Sequence, residues 1–321
     1  MQVSRPRAGV VQLKRWLSIP EMGVIGILLA LSLILTLTTT TFLTSENLFS
    51  VARAFSWIAI MAIGECLVII TGGIDLSVAS VFGLAGAVAA WVMVKAGAGV
   101  LPGVLAGLAV GLVCGLGNGL LITKTKLPPF IATIGMLNVG RGLAYALTGG
   151  WPISGLPASF LAIGQGHLWV IPIPVIIMVV LASIFAVLLV RATVSRHIFA
   201  VGGNEQAAIL SGISADRVKL LVYSLSGILA AVGGMIMTSR LGVAQSTAGL
   251  GYEMDVVAAA VIGGTSFSGG EGSIVGTVLG AAIMGVLRNG LVLLNVSAYW
   301  QQVTIGLVIV LAIMADQLRK R

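Results

Sequence analysis

Apolar residues run along this chain in long blocks, each closed by a few polar, glycine or proline positions. A block of about 18 residues or more crosses a bilayer core of about 30 Å as a helix rising 1.5 Å per residue. The pattern predicts ten such spans, at 22–43, 54–71, 76–94, 100–122, 130–148, 169–190, 218–239, 256–264, 274–287 and 299–315. The eighth and ninth are short and glycine-rich, so broken or tilted helices are expected there. The fold class that follows is all-α: a polytopic integral membrane protein of about ten transmembrane helices. One transmembrane domain is expected over residues 22–315, between an N-terminal segment at 1–21 and a C-terminal tail at 316–321.

Composition agrees with the pattern. Hydrophobic residues make up 58% of the chain and charged ones 9%, with a mean hydropathy of +1.11, where a soluble domain is close to about a quarter charged. The 43 glycines suit helices in lipid, which have no hydrophobic reason to associate and pack through small residues. The first apolar run exceeds the roughly 7–15 residues of a signal-peptide core and ends in "TLTTTTFL", so it reads as a retained span. Cys66 and Cys114 both fall inside apolar runs and read as packing residues, with no disulfide framework or metal site.

Charge sets the orientation. A net charge of +8 raises the question of nucleic acid, but the basic residues lie between spans and not on one face of a domain. With the N-terminus cytoplasmic, the inner segments carry Arg5, Arg7, Lys14, Arg15, Lys124, Lys126, Arg191, Arg196, Arg217, Lys219, Arg319, Lys320 and Arg321. The outer segments carry Arg53, Lys95, Arg240 and Arg288, and Arg141 lies within a span. The positive-inside rule then places both termini in the cytoplasm.

Several chemistries are missing. No stretch has the phosphate-cradling G-x-x-x-x-G-K-[ST] pattern, the zinc-binding H-E-x-x-H or the nucleophile elbow G-x-S-x-G. The two histidines, His167 and His197, fall on opposite sides of the membrane. Movement of a solute across the membrane is a better reading than intramembrane catalysis.

Three polar features remain. The run "RHIFAVGGNEQAAILSGISADR" (196–217) is the largest cytoplasmic loop. In it Asn204 suits an N-cap, Glu205 the positive helix start and Gly212 a left-handed C-terminal stop. A helix over 205–211 spans only about 10 Å and is too short to stand alone, so it must pack on something. It is either a turn packed on the chain's own spans or a docking helix for a cytoplasmic partner. In "GGIDLS", Gly72 and Gly73 can end one helix while Asp75 or Ser77 caps the next; the alternative is a helix break lining a translocation path. "GGTSFSGG" (263–270) echoes it. Glu65, mid-span, is either protonated or hydrogen-bonded to a neighbouring helix, or else faces the path near Arg141.

The motif "GGNEQAAILSGI" resembles the cytoplasmic loop of ABC-importer permeases of the simple-sugar (ribose-type) group. "VIITGGIDLSVAS", "LPPFIATIG", Arg141-Gly142, "AGLGYEMDVVAAAVIGGTSFSGGEGSIVGT" and "YWQQV" resemble the same permeases, so the likeness covers about 27–315. The run Gly-Gly-Ile-Asp-Leu-Ser is similar to the sugar branch rather than the branched-chain amino acid branch. The resemblance implies that Gly202, Gly203, Asn204, Glu205, Ala207, Ala208 and Gly212, within a loop at 191–217, couple the chain to a cytoplasmic ABC ATPase. It implies a second permease subunit in a homodimer, an extracytoplasmic sugar-binding protein, and a place in the cell membrane. The cargo implied is a monosaccharide such as ribose or a related pentose, with a furanose-like signalling molecule as another hydrophilic cargo. ATP would be used by the partner, and no cofactor or nucleic acid is expected on this chain. Candidate path residues are Glu65, Gly72, Gly73, Asp75, Ser77 and Arg141. Arg53, Arg240, Glu253, Asp255 and Arg288 are either solvated loop charges or a seat for the binding protein. The chain departs from the family pattern at Ala79 and Ser195, where glycine is usual. A gradient-driven transporter is the rival reading, but Glu65 and Asp75 are the only acidic residues near the membrane interior. A non-transporting scaffold would leave the glycine-rich breaks unexplained.

Overall fold

The computed structural model describes residues 20–319; the basic residues Arg5, Arg7, Lys14, Arg15, Lys320 and Arg321 lie outside them. Thirteen α-helices account for nearly all regular structure among the described residues. They are α1 (Pro20–Thr38), α2 (Ser45–Ile70), α3 (Val78–Ala90), α4 (Val100–Lys124), α5 (Pro129–Thr148), α6 (Ala158–Gln165) and α7 (Ile173–Arg191). There follow α8 (Thr193–Gly203), α9 (Glu205–Leu210), α10 (Ala215–Leu241), α11 (Tyr252–Ile262), α12 (Ile274–Leu293) and α13 (Ala298–Arg319). A π-helical turn, Trp91–Lys95, prolongs α3, and a hairpin of two-residue strands (His167–Leu168 with Ile171–Pro172) precedes α7.

Eight helices are long and apolar enough to span a bilayer: α1, α2, α3 with its π turn, α4, α5, α7, α10 and α12. The expected eighth span is different. α11 has 11 residues, a rise of about 16 Å, half of what a crossing needs. The inner half is completed by the irregular segment 263–273, whose backbone is satisfied within the protein as lipid demands. Thr265 N–H bonds the Ala260 carbonyl, Ser266 N–H the Glu271 carbonyl and Gly270 N–H the Ile70 carbonyl at the inner end of α2. α12 is a full 20-residue span, longer than expected. α11 with its loop, and α13 with its shorter apolar stretch Ala298–Leu311, are the two further candidates that bring these eight to the expected ten. α13 stays helical through Arg319, where a tail was expected from 316.

α2 is the central pillar. Its residues 56–70 are all buried, which suits a segment apolar on every side. α10, α12 and α11 pack on it, and α4 closes against α10 through glycines at 107, 111, 115 and 119, one per helical turn, with Gly103 continuing the row against Met93 and Ala89. A Cβ on Gly111 would overlap the Gly227 carbonyl, and one on Gly115 the Tyr223 carbonyl. The backbones therefore touch, which is how small residues join helices in lipid. Ala79 and Ser195 are both buried, and the Ser195 hydroxyl bonds the Leu188 carbonyl at 2.6 Å, tying α8 to the end of α7.

Candidate coupling loop and buried polar core

The polar run folds into two short helices joined at Asn204. This residue is extended (φ −160°, ψ 100°), and its side chain accepts the Ala207 N–H at 3.0 Å, capping α9. At the other end Gly212 is left-handed (φ +83°), Gly212 N–H bonds the Ile209 carbonyl and Ile213 N–H the Ala208 carbonyl. Six residues cannot hold a helix unaided, and two contacts anchor this one. Ala208 is buried, and both Glu205 oxygens accept from Lys219 Nζ on α10, at 2.7 and 2.8 Å. Gln206, Ala207, Ile209 and Leu210 remain exposed, Leu210 at 88%. Gly202 abuts the inner end of α2, where a Cβ would overlap the Ile70 carbonyl; Gly203 is exposed.

The "GGIDLS" run closes α2 and folds back into the protein. Gly72 is left-handed (φ +78°), with its N–H on the Ile69 carbonyl and Gly73 N–H on the Val68 carbonyl. Tyr223 packs its hydroxyl where a Gly73 side chain would stand. Beyond the turn, Asp75 N–H donates to Glu65 Oε1 at 3.0 Å. The Asp75 carboxylate accepts the Ser77 N–H (3.0 Å), the Ser77 hydroxyl (2.5 Å), the Asn118 amide (3.4 Å) and the Ser226 hydroxyl (3.0 Å). Asp75 is thus the group that starts α3, while the Ser77 hydroxyl donates to Asp75 and leaves the helix uncapped. One carboxylate binds α3, α4 and α10 together. Glu65, Asp75 and Ser77 are all buried. Between this turn and the candidate coupling loop lies a cavity of about 370 Å³ lined by residues including Gly72, Gly73, Gly203, Glu205, Lys219 and Tyr223.

On the outer side, Arg141 Nη1 donates to the Ser246 (2.9 Å) and Ala248 (2.7 Å) carbonyls, clamping the loop after α10 onto α5. Its partners are distinct from that of Glu65. Arg288 pairs with buried Asp255 at 2.6 Å, Arg240 lies over the Trp57 ring at 4.9 Å, and Arg53 meets His167. Glu253 is half-buried. Asp255 is therefore withdrawn from the outer surface, and Arg288 is already engaged.

Residues 47–313 match the profile of a family described as "Branched-chain amino acid transport system / permease component". The chain belongs to this permease family. The ribose import permease protein of Bacillus subtilis (strain 168) is 47% identical to it over 292 residues, 90% of each chain. That of Escherichia coli (strain K12) is 42% identical over 307 residues, covering 94% of this chain and 95% of the relative. The D-allose transport system permease protein of E. coli (strain K12) is 35% identical over 277 residues, covering 86% and 85%. No solved structure matches the permease.

Two features of the permease escaped the reading of its sequence. The glycine row on α4 carries a visible four-residue period. The other is the open face of α5, where Gly135, Asn138 and Gly142 are exposed at i, i+3 and i+7. A Cβ on either glycine would touch nothing, so neither is small for the sake of packing within this chain. Among the described residues, no other exposed amide or charged side chain lies mid-span. The signal was an asparagine flanked by glycines in an apolar run, a pattern that suits a watery or protein-covered face better than lipid.

Proposed function

We propose that this permease carries a monosaccharide, ribose or a related pentose, into the cytoplasm, powered by a separate ABC ATPase. The observation that carries the reading is α9: capped at both ends, pinned by Glu205 to Lys219, and presenting Ala207, Ile209 and Leu210 outward. A solvent-facing helix with an apolar tip, held rigidly against the membrane domain, is what a soluble motor needs in order to grip. Gly202, Gly203, Asn204, Glu205, Ala207, Ala208 and Gly212 form this coupling site. The names of the two ribose permeases support the cargo, as does the Gly-Gly-Ile-Asp-Leu-Ser run. The ATPase supplies ATP chemistry, and this chain holds none of it.

The working unit is a homodimer, with the path between the two copies and the open face of α5 turned toward it. Glu65, Asp75 and Ser77 hold the helix break, Gly72 and Gly73 border the inner cavity, and Arg141 fixes the outer loop beside the path. Arg53, Arg240, Glu253 and Arg288 form the rim that receives a sugar-binding protein, with Asp255 holding Arg288 in place.

Co-purification from native membranes tests the reading, with the intact chain and with a Glu205→Lys, Gly212→Glu variant. An ATPase should accompany the intact chain and be lost from a variant that keeps its elution profile in size-exclusion chromatography. Absence of any ATPase from the intact chain under mild solubilisation would remove the motor and favour gradient-driven transport.

A further inference from the structure

α10 connects the coupling loop to the buried polar core through one face. Lys219, Tyr223 and Ser226 stand at i, i+4 and i+7, within about 10 Å of rise. Lys219 holds both oxygens of Glu205 on α9. Tyr223, 1% exposed, sets its hydroxyl against Gly73 at the end of α2. Ser226, fully buried, donates to Asp75 Oδ2 at 3.0 Å. The Asn118 amide donates to the Ser77 hydroxyl at 2.8 Å as well as to Asp75, so α4 joins the same knot.

The surroundings allow the inner end of α10 to move as a body. Gly202 rests on the inner end of α2, but between α9 and the α2–α3 turn lies the cavity of about 370 Å³, so a shift of α9 toward that turn meets open space and not a close-packed core. Toward the outer side α10 and α3 meet backbone against backbone at Gly234 on Phe82, with the Thr238 side chain filling the space beside Gly86, and this is the stiff part of the pair. The polar contacts lie in the inner half, where hydroxyl and amide donors can trade positions around one carboxylate with little steric cost.

We infer that Lys219, Tyr223 and Ser226 form a transmission face that carries displacement of the coupling helix to Asp75, and so to the inner ends of α3 and α4. The inference rests on the ATPase-coupled reading above and names positioning residues for the transport step, none of which touches cargo. Lys219 takes the load at the cytoplasmic surface, Tyr223 bears on the Gly73 turn, and Ser226 shifts the carboxylate to which α3 and α4 are tied.

The complete importer, with its ATPase and binding protein, is reconstituted in liposomes, and D-ribose uptake and ATP hydrolysis are measured on the same sample. The variants are Lys219→Met, Ser226→Ala, the two together, and Lys219→Arg; Ser226→Cys stands in should Ser226→Ala fail to assemble. Lys219→Met also removes one anchor of α9 and should hold less ATPase, but in the complexes that form from each single variant the ATP consumed per sugar moved should rise at least fivefold. Positions this far apart, with no shared contact, act additively when independent. On one line of transmission the double variant should instead be no worse than the worse single, and Lys219→Arg should keep the wild-type ratio. An unchanged ratio in the singles, or effects that multiply in the double, overturns the transmission face and leaves the importer reading standing. A wild-type complex that hydrolyses ATP without moving D-ribose overturns the importer reading for this cargo and the inference with it.

Discussion

Gly111 on α4 and Gly227 on α10 face each other so closely that a Cβ on either would overlap the other's carbonyl oxygen. This mutual contact sits at the centre of a glycine row running the length of α4, and it fixes how near the two helices lie. Gly111→Val should therefore destabilise the fold by about 3 kcal/mol or more, beyond usual overpacking, because backbone must move. Thermal unfolding in detergent, followed by loss of monodisperse elution, checks this. An unaltered midpoint would mean that α4 and α10 pack elsewhere.

Gly142 is the counter-case. Its Cβ position is open, so Gly142→Ala should fold at least as well as the parent, with a gain of up to about 1 kcal/mol from helix propensity. Gly142→Leu should also fold but reduce uptake at least tenfold, because the bulk projects into the proposed path. Equal uptake by both variants would take α5 out of that path.

Asp75→Ala leaves the Ser77 and Ser226 hydroxyls buried without their acceptor. Each stranded donor costs on the order of 1–3 kcal/mol, so little of this variant should reach the membrane folded. Asp75→Asn, which keeps one accepting oxygen, should fold and be recovered in several-fold higher yield. Quantitative immunoblotting of solubilised membranes reads the difference.

Arg288→Ala strands Asp255, whose side chain is 4% exposed. The loss should be on the order of 2 kcal/mol, below the range for a fully buried pair because the Arg288 side is part-hydrated. Replacing both residues by leucine should recover most of it. Failure of the double replacement to recover would show that the pair has a role beyond cancelling charge.

Asn204→Ala removes the cap of α9, worth about 1 kcal/mol. In so short a helix that is enough to fray the proposed coupling site, and the fraction of chain that retains an ATPase on purification should fall several-fold. Asn204→Asp should preserve it.

Features set by neighbouring residues could be read from the sequence alone. The long apolar runs marked the spans, Asn204 and Gly212 marked the ends of α9, and Gly72 with Gly73 marked the end of α2. Each signal acts within one helical turn of itself. Pairings between distant residues were not legible. Nothing near Glu65 says that the Asp75 N–H will fold back onto it, and nothing near Asp255 points to Arg288, because both are decided by how helices stack. The shape of α11 fell between: its shortness was legible, but not the way 263–273 completes the crossing against Ile70. α2 begins at Ser45, well before the expected span at 54, because a helix capped by Thr44 continues past the apolar core.

ATP-driven uptake tests the central claim most directly. The permease is reconstituted in liposomes with its ATPase and binding protein, and D-ribose entry is followed with and without ATP and a proton ionophore. The account predicts entry that needs ATP and the intact α9 and is indifferent to the ionophore. Entry by the permease alone, driven by an imposed proton gradient and abolished by the ionophore, would contradict it.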